Sequence, residues 1–139
     1  MSNVKASLES NIVTVRDIQR AINRIGGYGS TFVPEFTFGK MRIDGILVDP
    51  RIRKIRGFEI KVSRADFLQD AKWQSYSRFC SSLSVACPEG LIKPEEIEAP
   101  FGLMWVKKEN WVREHDGFKG VNYFNTWAKK PKDFQGGKS

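Results

Sequence analysis

Arg42-Ile43-Asp44-Gly45-Ile46-Leu47-Val48-Asp49-Pro50-Arg51-Ile52-Arg53-Lys54-Ile55-Arg56-Gly57-Phe58-Glu59-Ile60-Lys61 decides how this chain is read. It reads as two strands, 41–48 and 55–62, rich in Ile, Val, Leu and Phe, with Asp49-Pro50 opening a turn between them. A turn over 50–53 sets Asp49 opposite Lys54, and antiparallel pairing then sets Asp44 opposite Glu59. Opposed residues have Cβ atoms about 4.5–5.5 Å apart, where like charges repel. Two acids so placed on apolar strands call for a cation or a shared proton. Lys61 lies two residues beyond Glu59 and so shares its face.

The segment before it supplies a third acid. Thr31 to Phe38 alternates in part and leads into Gly39-Lys40 and Met41. Gly-X is a two-residue type II′ hairpin signal, which sets Phe38 opposite Met41 and Glu35 opposite Asp44. The expectation is a row of Glu35, Asp44 and Glu59 across three strands. A slip of one residue in either hairpin would break it. At an edge, Glu35 reads equally well as a solvated strand residue.

Hard cations such as Mg²⁺ take oxygen ligands, often one or two carboxylates with waters and substrate phosphate. Bound metal lowers the pKa of water and stabilises charge on a phosphate, and a nearby lysine steadies the same charge. The acid row with Lys61 supplies those parts. No serine or cysteine nucleophile is indicated, and no Gly-rich phosphate loop follows a strand. The single His115 reads as a surface or packing residue, and Asp49 as a turn former.

The 139 residues suffice for one domain with a real core, assigned to 1–128, with 1–13 expected to be partly disordered and 129–139 a basic flexible tail. No apolar run is long enough to span a membrane, no signal-peptide stretch is visible, and no membrane-surface helix stands out, so a cytoplasmic protein is expected. Cys80 and Cys87 then read as reduced core residues. Lys and Arg outnumber Asp and Glu by 23 to 16, for a net charge of +7, which favours an anionic partner such as nucleic acid. Arg51, Arg53, Lys54 and Arg56 concentrate that charge in one loop.

Along the chain, Thr14 and Asp17 form a capping-box pattern ahead of Ile18, Ala21, Ile22 and Ile25 at helical spacing, closed by Gly26-Gly27. Ser63 caps a second helix, with Asp66 in its first turn, expected to run to about Cys80 with Leu68, Lys72, Tyr76 and Phe79 or Cys80 as its stripe. Lys72 in that stripe either snorkels past its neighbours or points its ammonium into the active face. Trp73 either packs the helix or stacks on a base. Leu83 to Cys87 is a short strand that pairs in parallel after the helical crossover. Pro94-Glu95-Glu96 opens a helical turn, and Phe101–Val106 and Trp111–His115 are expected to form a hairpin over 107–110. Val121 to Trp127 fits a strand or a helix.

Asp44 followed by Glu59-Ile60-Lys61 resembles the signature of the PD-(D/E)XK nuclease superfamily. Arg42-Ile43-Asp44, Glu59-Ile60-Lys61-Val62-Ser63, Asp66-Phe67, Asp70, Lys72-Trp73 and Tyr76 resemble its MmcB-like DNA-repair group over about residues 31–88. The resemblance implies an α/β, restriction-endonuclease-like α-β-β-β-α-β core with a mixed sheet. It implies a Mg²⁺-dependent deoxyribonuclease (Mn²⁺ substituting) of DNA repair, recombination or phage DNA processing, working as a homodimer or within a larger repair complex. Asp44 and Glu59 would bind metal with the Ile60 carbonyl, Glu35 is the further metal candidate, and Lys61 would assist catalysis. Lys72, Tyr76, Arg42, Ser63 and Trp73 are the candidate substrate contacts. Lys72 stands where RecB-like members carry glutamine, and Ile43 where the motif proline would stand. The competing expectation is a non-catalytic nucleic-acid-binding domain on the same fold, acting as a subunit of a larger complex.

Overall fold

The computed structural model describes residues 4–6, 11–69 and 72–134, with the backbone alone at 4–6 and 72. They form an α/β protein built on one mixed seven-stranded sheet. Its strands are β1 (Val4–Ala6), β2 (Thr31–Phe38), β3 (Met41–Asp49), β4 (Lys54–Ile60), β5 (Ser82–Pro88), β6 (Gly102–Arg113) and β7 (Lys119–Lys129). The order across the sheet is β1-β6-β5-β4-β3-β2, with β7 also paired to β6. Helix α1 (Val15–Ile25), short helix α2 (Arg64–Gln69) and two 3₁₀ helices, Lys72–Phe79 and Pro94–Glu96, complete it. From α1 to β5 the order is helix, three antiparallel strands, a helical crossover and a parallel strand.

Helix α1 begins at the expected capping box. The Thr14 hydroxyl accepts from the Asp17 N–H at 3.2 Å, and the Asp17 carboxylate accepts from the Thr14 N–H at 2.9 Å. Asp serves in place of Glu because the sheet gives it two further donors, Lys108 Nζ at 2.8 Å and the Tyr123 hydroxyl at 2.7 Å. Ile18, Ala21 and Ile22, one stripe at helical spacing, are fully buried in one cluster with Leu47, Phe58, Ile60, Ala86, Met104 and Val106. Burial pushes the Asp17 carboxyl up, but hydrogen bonds from Lys108, Thr14 and Tyr123 outweigh it and bring it down to about 2. A carboxyl lowered on folding stabilises the fold above its unfolded pKa and loses that contribution as pH falls through the folded value. Asp17→Asn is therefore expected to cost about 1–2 kcal/mol at neutral pH, as loss of a good cap does. The cost should shrink towards pH 2. Urea melts of both proteins across that range check it.

Both hairpin registers are those read from the sequence. Phe38 pairs with Met41 across Gly39, whose φ of 62° suits the first position of a type II′ turn. Asp49 pairs with Lys54, and its carboxylate accepts from the Arg51 N–H at 3.1 Å, which closes the turn. β4 and β5 pair in parallel, as the crossover required.

The crossover itself differs from expectation. The expected single helix to Cys80 stops at Gln69, and Lys72–Phe79 is a 3₁₀ helix. Three residues per turn aligns positions i, i+3 and i+6, so Trp73, Tyr76 and Phe79 form the inner row while Leu68, from the expected α-helical stripe, is 68% exposed. Trp73 is buried with its ring 5.0 Å from Phe101 in an edge-on contact, so it packs the core and offers no stacking surface.

The second half also departs in detail. β6 runs unbroken through 107–110, and its partner is β7, so Val121 to Trp127 is strand. The turn lies at Asp116-Gly117, where the Asp116 carboxylate accepts from the Phe118 N–H and Gly117 takes a φ of 71°. Lys129 is the last residue of β7, and residues 130–134 are tied down rather than loose: Lys132 donates to the Pro100 carbonyl, Phe134 to that of Ser81. Residues 135–139 of the expected tail lie outside the described residues. At the other end, where disorder was expected, Val4–Ala6 pair with 111–113 and Val13 is buried, while 1–3 and 7–10 lie outside the described residues.

Candidate active site

The site forms where the meander bends. Strand alternation would put residues three apart on opposite faces, yet Val33 and Phe36, and likewise Ile43 and Ile46, join one cluster. Between each pair the chain changes face. On β2 this happens at Glu35, which adopts a left-handed backbone with φ of 51° beside Pro34. On β3 it happens at Asp44-Gly45, and a Cβ on Gly45 would come within 2.7 Å of the Phe32 ring. The β3–β4 ladder ends at Gly45 opposite Phe58, so Asp44 and Glu59 are the first opposed pair beyond it.

There the acids take over from the backbone. Glu59 Oε1 accepts from the Asp44 N–H at 3.2 Å, and Asp44 Oδ2 accepts from the Ile60 N–H at 2.8 Å. Each carboxylate fills a place that a strand carbonyl would otherwise take. A strand residue turns its N–H and C=O to the same edge, so the Ile60 carbonyl also faces the side that carries Asp44. Below them the Lys61 N–H holds to the Ala86 carbonyl at 3.0 Å, continuing the attachment to β5.

Lys61 and Glu59 are 3% and 4% exposed, deep for charged residues. Lys61 Nζ lies 3.8 Å from Glu59 Oε2 and 4.0 Å from Asp66 Oδ1. Asp66 comes from the first turn of α2, whose start is fixed by the Ser63 hydroxyl accepting from the Asp66 N–H at 3.0 Å. Burial raises the Asp44 carboxyl above its ordinary range, against the Ile60 N–H and the positive charges of Lys61 and Arg42; Asp66 adds to the rise. Burial thus disfavours the charged form of Asp44.

Asp44, Glu59, Ile60 and Lys61 meet as expected. Glu35 does not join them: its left-handed backbone turns the side chain outward, where it is 64% exposed and 3.7 Å from Arg42 Nη1. Arg42 stands between, its Nη2 3.9 Å from Asp44 Oδ1. Ser63 acts as a helix cap, and Tyr76 packs between two core clusters. The Lys72 side chain lies outside the described residues. His115 is exposed beside Asp116, and Cys80 and Cys87 are free, buried thiols pushed up to about 11 by burial. Asp66 is the residue that the sequence favours as a helix-start acid over a ligand. Its signal was there: a cap two residues after Lys61 folds the first turn of the helix back over the strand end.

Among the described residues, no three His, Cys, Asp or Glu are grouped to hold a metal. Two opposed carboxylates with a backbone carbonyl at the same edge still fit Mg²⁺, which needs few protein ligands and completes its shell with water and phosphate. Among the described residues no helix is long and apolar enough to cross a membrane.

No protein-family model matches the chain, and no curated protein matches it. A solved structure, that of a protein of unknown function from Silicibacter pomeroyi, is similar, with a TM-score of 0.64 and 24% identity over 92% of this chain and 77% of that one. At that identity the likeness is one of fold alone.

Proposed function

We propose that this chain is a metal-dependent nuclease with a restriction-endonuclease-like core of the PD-(D/E)XK type, hydrolysing phosphodiester bonds of DNA. The observation that carries the reading is the pairing of Asp44 and Glu59 beyond the end of their ladder, with the Lys61 ammonium buried 3.8 Å from Glu59. Structural roles alone give no reason to gather two carboxylates and a lysine in a largely apolar sheet, where desolvation is costly.

Asp44, Glu59 and the Ile60 carbonyl would hold Mg²⁺, with Mn²⁺ as a substitute. When bound, the ion supplies a lowered pKa for water and a positive charge for the phosphate oxygens. Lys61 donates hydrogen bonds to the attacking water and to the charge that develops on the phosphate, and Glu59 and Asp66 fix its ammonium for that task. Arg42, exposed at the rim beside Asp44, draws a phosphate towards the acids. The MmcB-like resemblance of the sequence supports a role in DNA repair, recombination or phage DNA processing.

The test is incubation of the full chain with single- and double-stranded DNA and with RNA, in Mg²⁺, in Mn²⁺ and in EDTA. Cleavage of DNA in either metal and none in EDTA is the expected result. Binding without cleavage in all three would replace the nuclease by the non-catalytic nucleic-acid-binding domain. Cleavage undiminished by EDTA would remove the metal from the reading.

A further inference from the structure

A second charged feature lies on the α1 side of the sheet. Helix α1 and the edge strand β2 leave a groove of about 220 Å³, lined by Arg16, Gln19, Arg20, Asn23, Phe32 and Pro34. Two guanidiniums and two amides form one wall, and an aromatic ring and a proline form the floor, with no acid among them. Arg16 and Arg20 are four residues apart on one helix face, an arrangement that destabilises a helix by repulsion. Among the described residues no carboxylate pairs with either of them. In the basic β3–β4 turn, by comparison, Arg51 is held by Asp49 and Lys54 by Asp133, while Arg53 and Arg56 also lack a carboxylate partner among the described residues.

The groove is lined in part by β2, the neighbour of β3, the strand that carries Asp44. Its floor ring, Phe32, lies against Gly45, next in sequence to Asp44, and the close approach requires glycine there. Pro34 precedes Glu35, which leads through Arg42 to Asp44.

We infer that this groove binds the sugar–phosphate backbone of one nucleic-acid strand. Arg16 and Arg20 contact phosphates, Gln19 and Asn23 donate to phosphate or sugar oxygens, and Phe32 with Pro34 provides an apolar floor for the sugars. Charge complementarity selects the occupant: two guanidiniums and two amides, with no carboxylate among the described lining residues, fit a polyanion. The inference rests on the nuclease reading for the choice of nucleic acid as the polyanion, while the groove's binding can be tested apart from catalysis.

The test measures binding of a fluorescently labelled thymidine 20-mer by anisotropy in EDTA, for the parent, for Arg16→Ala/Arg20→Ala, and for Lys93→Ala/Lys130→Ala as a control that removes two exposed charges outside the groove. The groove variant should bind about tenfold more weakly near 0.1 M salt, and its plot of log Kd against log salt should be shallower by about 1.4, since each lost single-strand phosphate contact removes about 0.7. The control should lose far less. The groove variant's melting temperature should match or exceed the parent's, because the like-charge pair is gone. Three results overturn the inference: a parent that does not bind, a groove variant with unchanged affinity and slope, or a control that loses as much. Failure of the two readings can be told apart. A parent that binds through the groove yet cuts nothing in any metal sinks the nuclease alone, and a metal-dependent nuclease whose binding ignores Arg16 and Arg20 sinks the groove alone.

Discussion

Asp44→Asn should reduce Mg²⁺-dependent DNA cleavage by about 10²–10³-fold or more, the usual effect of removing one preorganised charge-stabilising group. It should do so without weakening the fold. Asparagine keeps an oxygen to accept from the Ile60 N–H, now 2.8 Å from Asp44 Oδ2. It removes a carboxylate whose pKa is raised chiefly by burial, so the ionised form is held against its preference. It also removes the repulsion between opposed acids. The attractions lost are those of the buried Lys61 and of Arg42, the latter at 3.9 Å with a side chain 61% exposed and worth little in water; the cost of burying the charge outweighs both. The melting temperature without metal should therefore stay level or rise. Added Mg²⁺ should raise it in the parent, because a ligand that binds only the folded state stabilises it, and should do so much less in the variant. Cleavage rates and melting curves, each with and without Mg²⁺, check both halves. A variant that cuts DNA at the parent's rate sinks the metal site at Asp44.

That site was legible in the sequence to the extent that turns encode register. Gly39-Lys40 and Asp49-Pro50 each determine a hairpin, and together they bring Asp44 opposite Glu59. The same logic failed at Glu35, although its register is right on both sides: Pro34 pairs with Gly45 and Phe36 with Ile43. Register says which residues are opposed; face depends on uninterrupted alternation, and one left-handed residue reverses it. The trace in the sequence is the spacing of Val33 and Phe36, three apart and separated by a proline that has no N–H to give to the ladder. The 3₁₀ segment was illegible for a different reason. Lys72, Tyr76 and Leu68 fit a period of 3.6 as well as Trp73, Tyr76 and Phe79 fit a period of three, and the pull of the Phe101 pocket on Trp73 decides between them. Asp66 depends on that tertiary geometry too, because a helix-start acid becomes a site residue only when the preceding strand ends beneath it.

Lys61→Met should cost both activity and stability, and the two losses can be separated. Cleavage should fall by about 10²–10³-fold, because the ammonium that meets the developing charge is gone. Stability should fall by about 3 kcal/mol, as it does when one member of a buried ion pair is removed and the other charge stays. Here the charge that stays is Glu59, whose carboxylate loses the ammonium 3.8 Å away while its own burial is unchanged. The methionine stem fills nearly the same volume, so packing contributes little to the loss. Adding Glu59→Gln to Lys61→Met should restore most of the stability, since the glutamine oxygen can still accept from the Asp44 N–H, now 3.2 Å from Glu59 Oε1. It should restore none of the cleavage. A simple packing role predicts the opposite: Lys61→Met would then melt at or above the parent's temperature, and the second change would add to the damage. Denaturant melts of the parent, both single variants and the double variant give the coupling energy, and cleavage rates of the same four proteins give the catalytic loss. A coupling near zero would mean that Lys61 and Glu59 do not act as a pair, and with it would go the mechanism built on them.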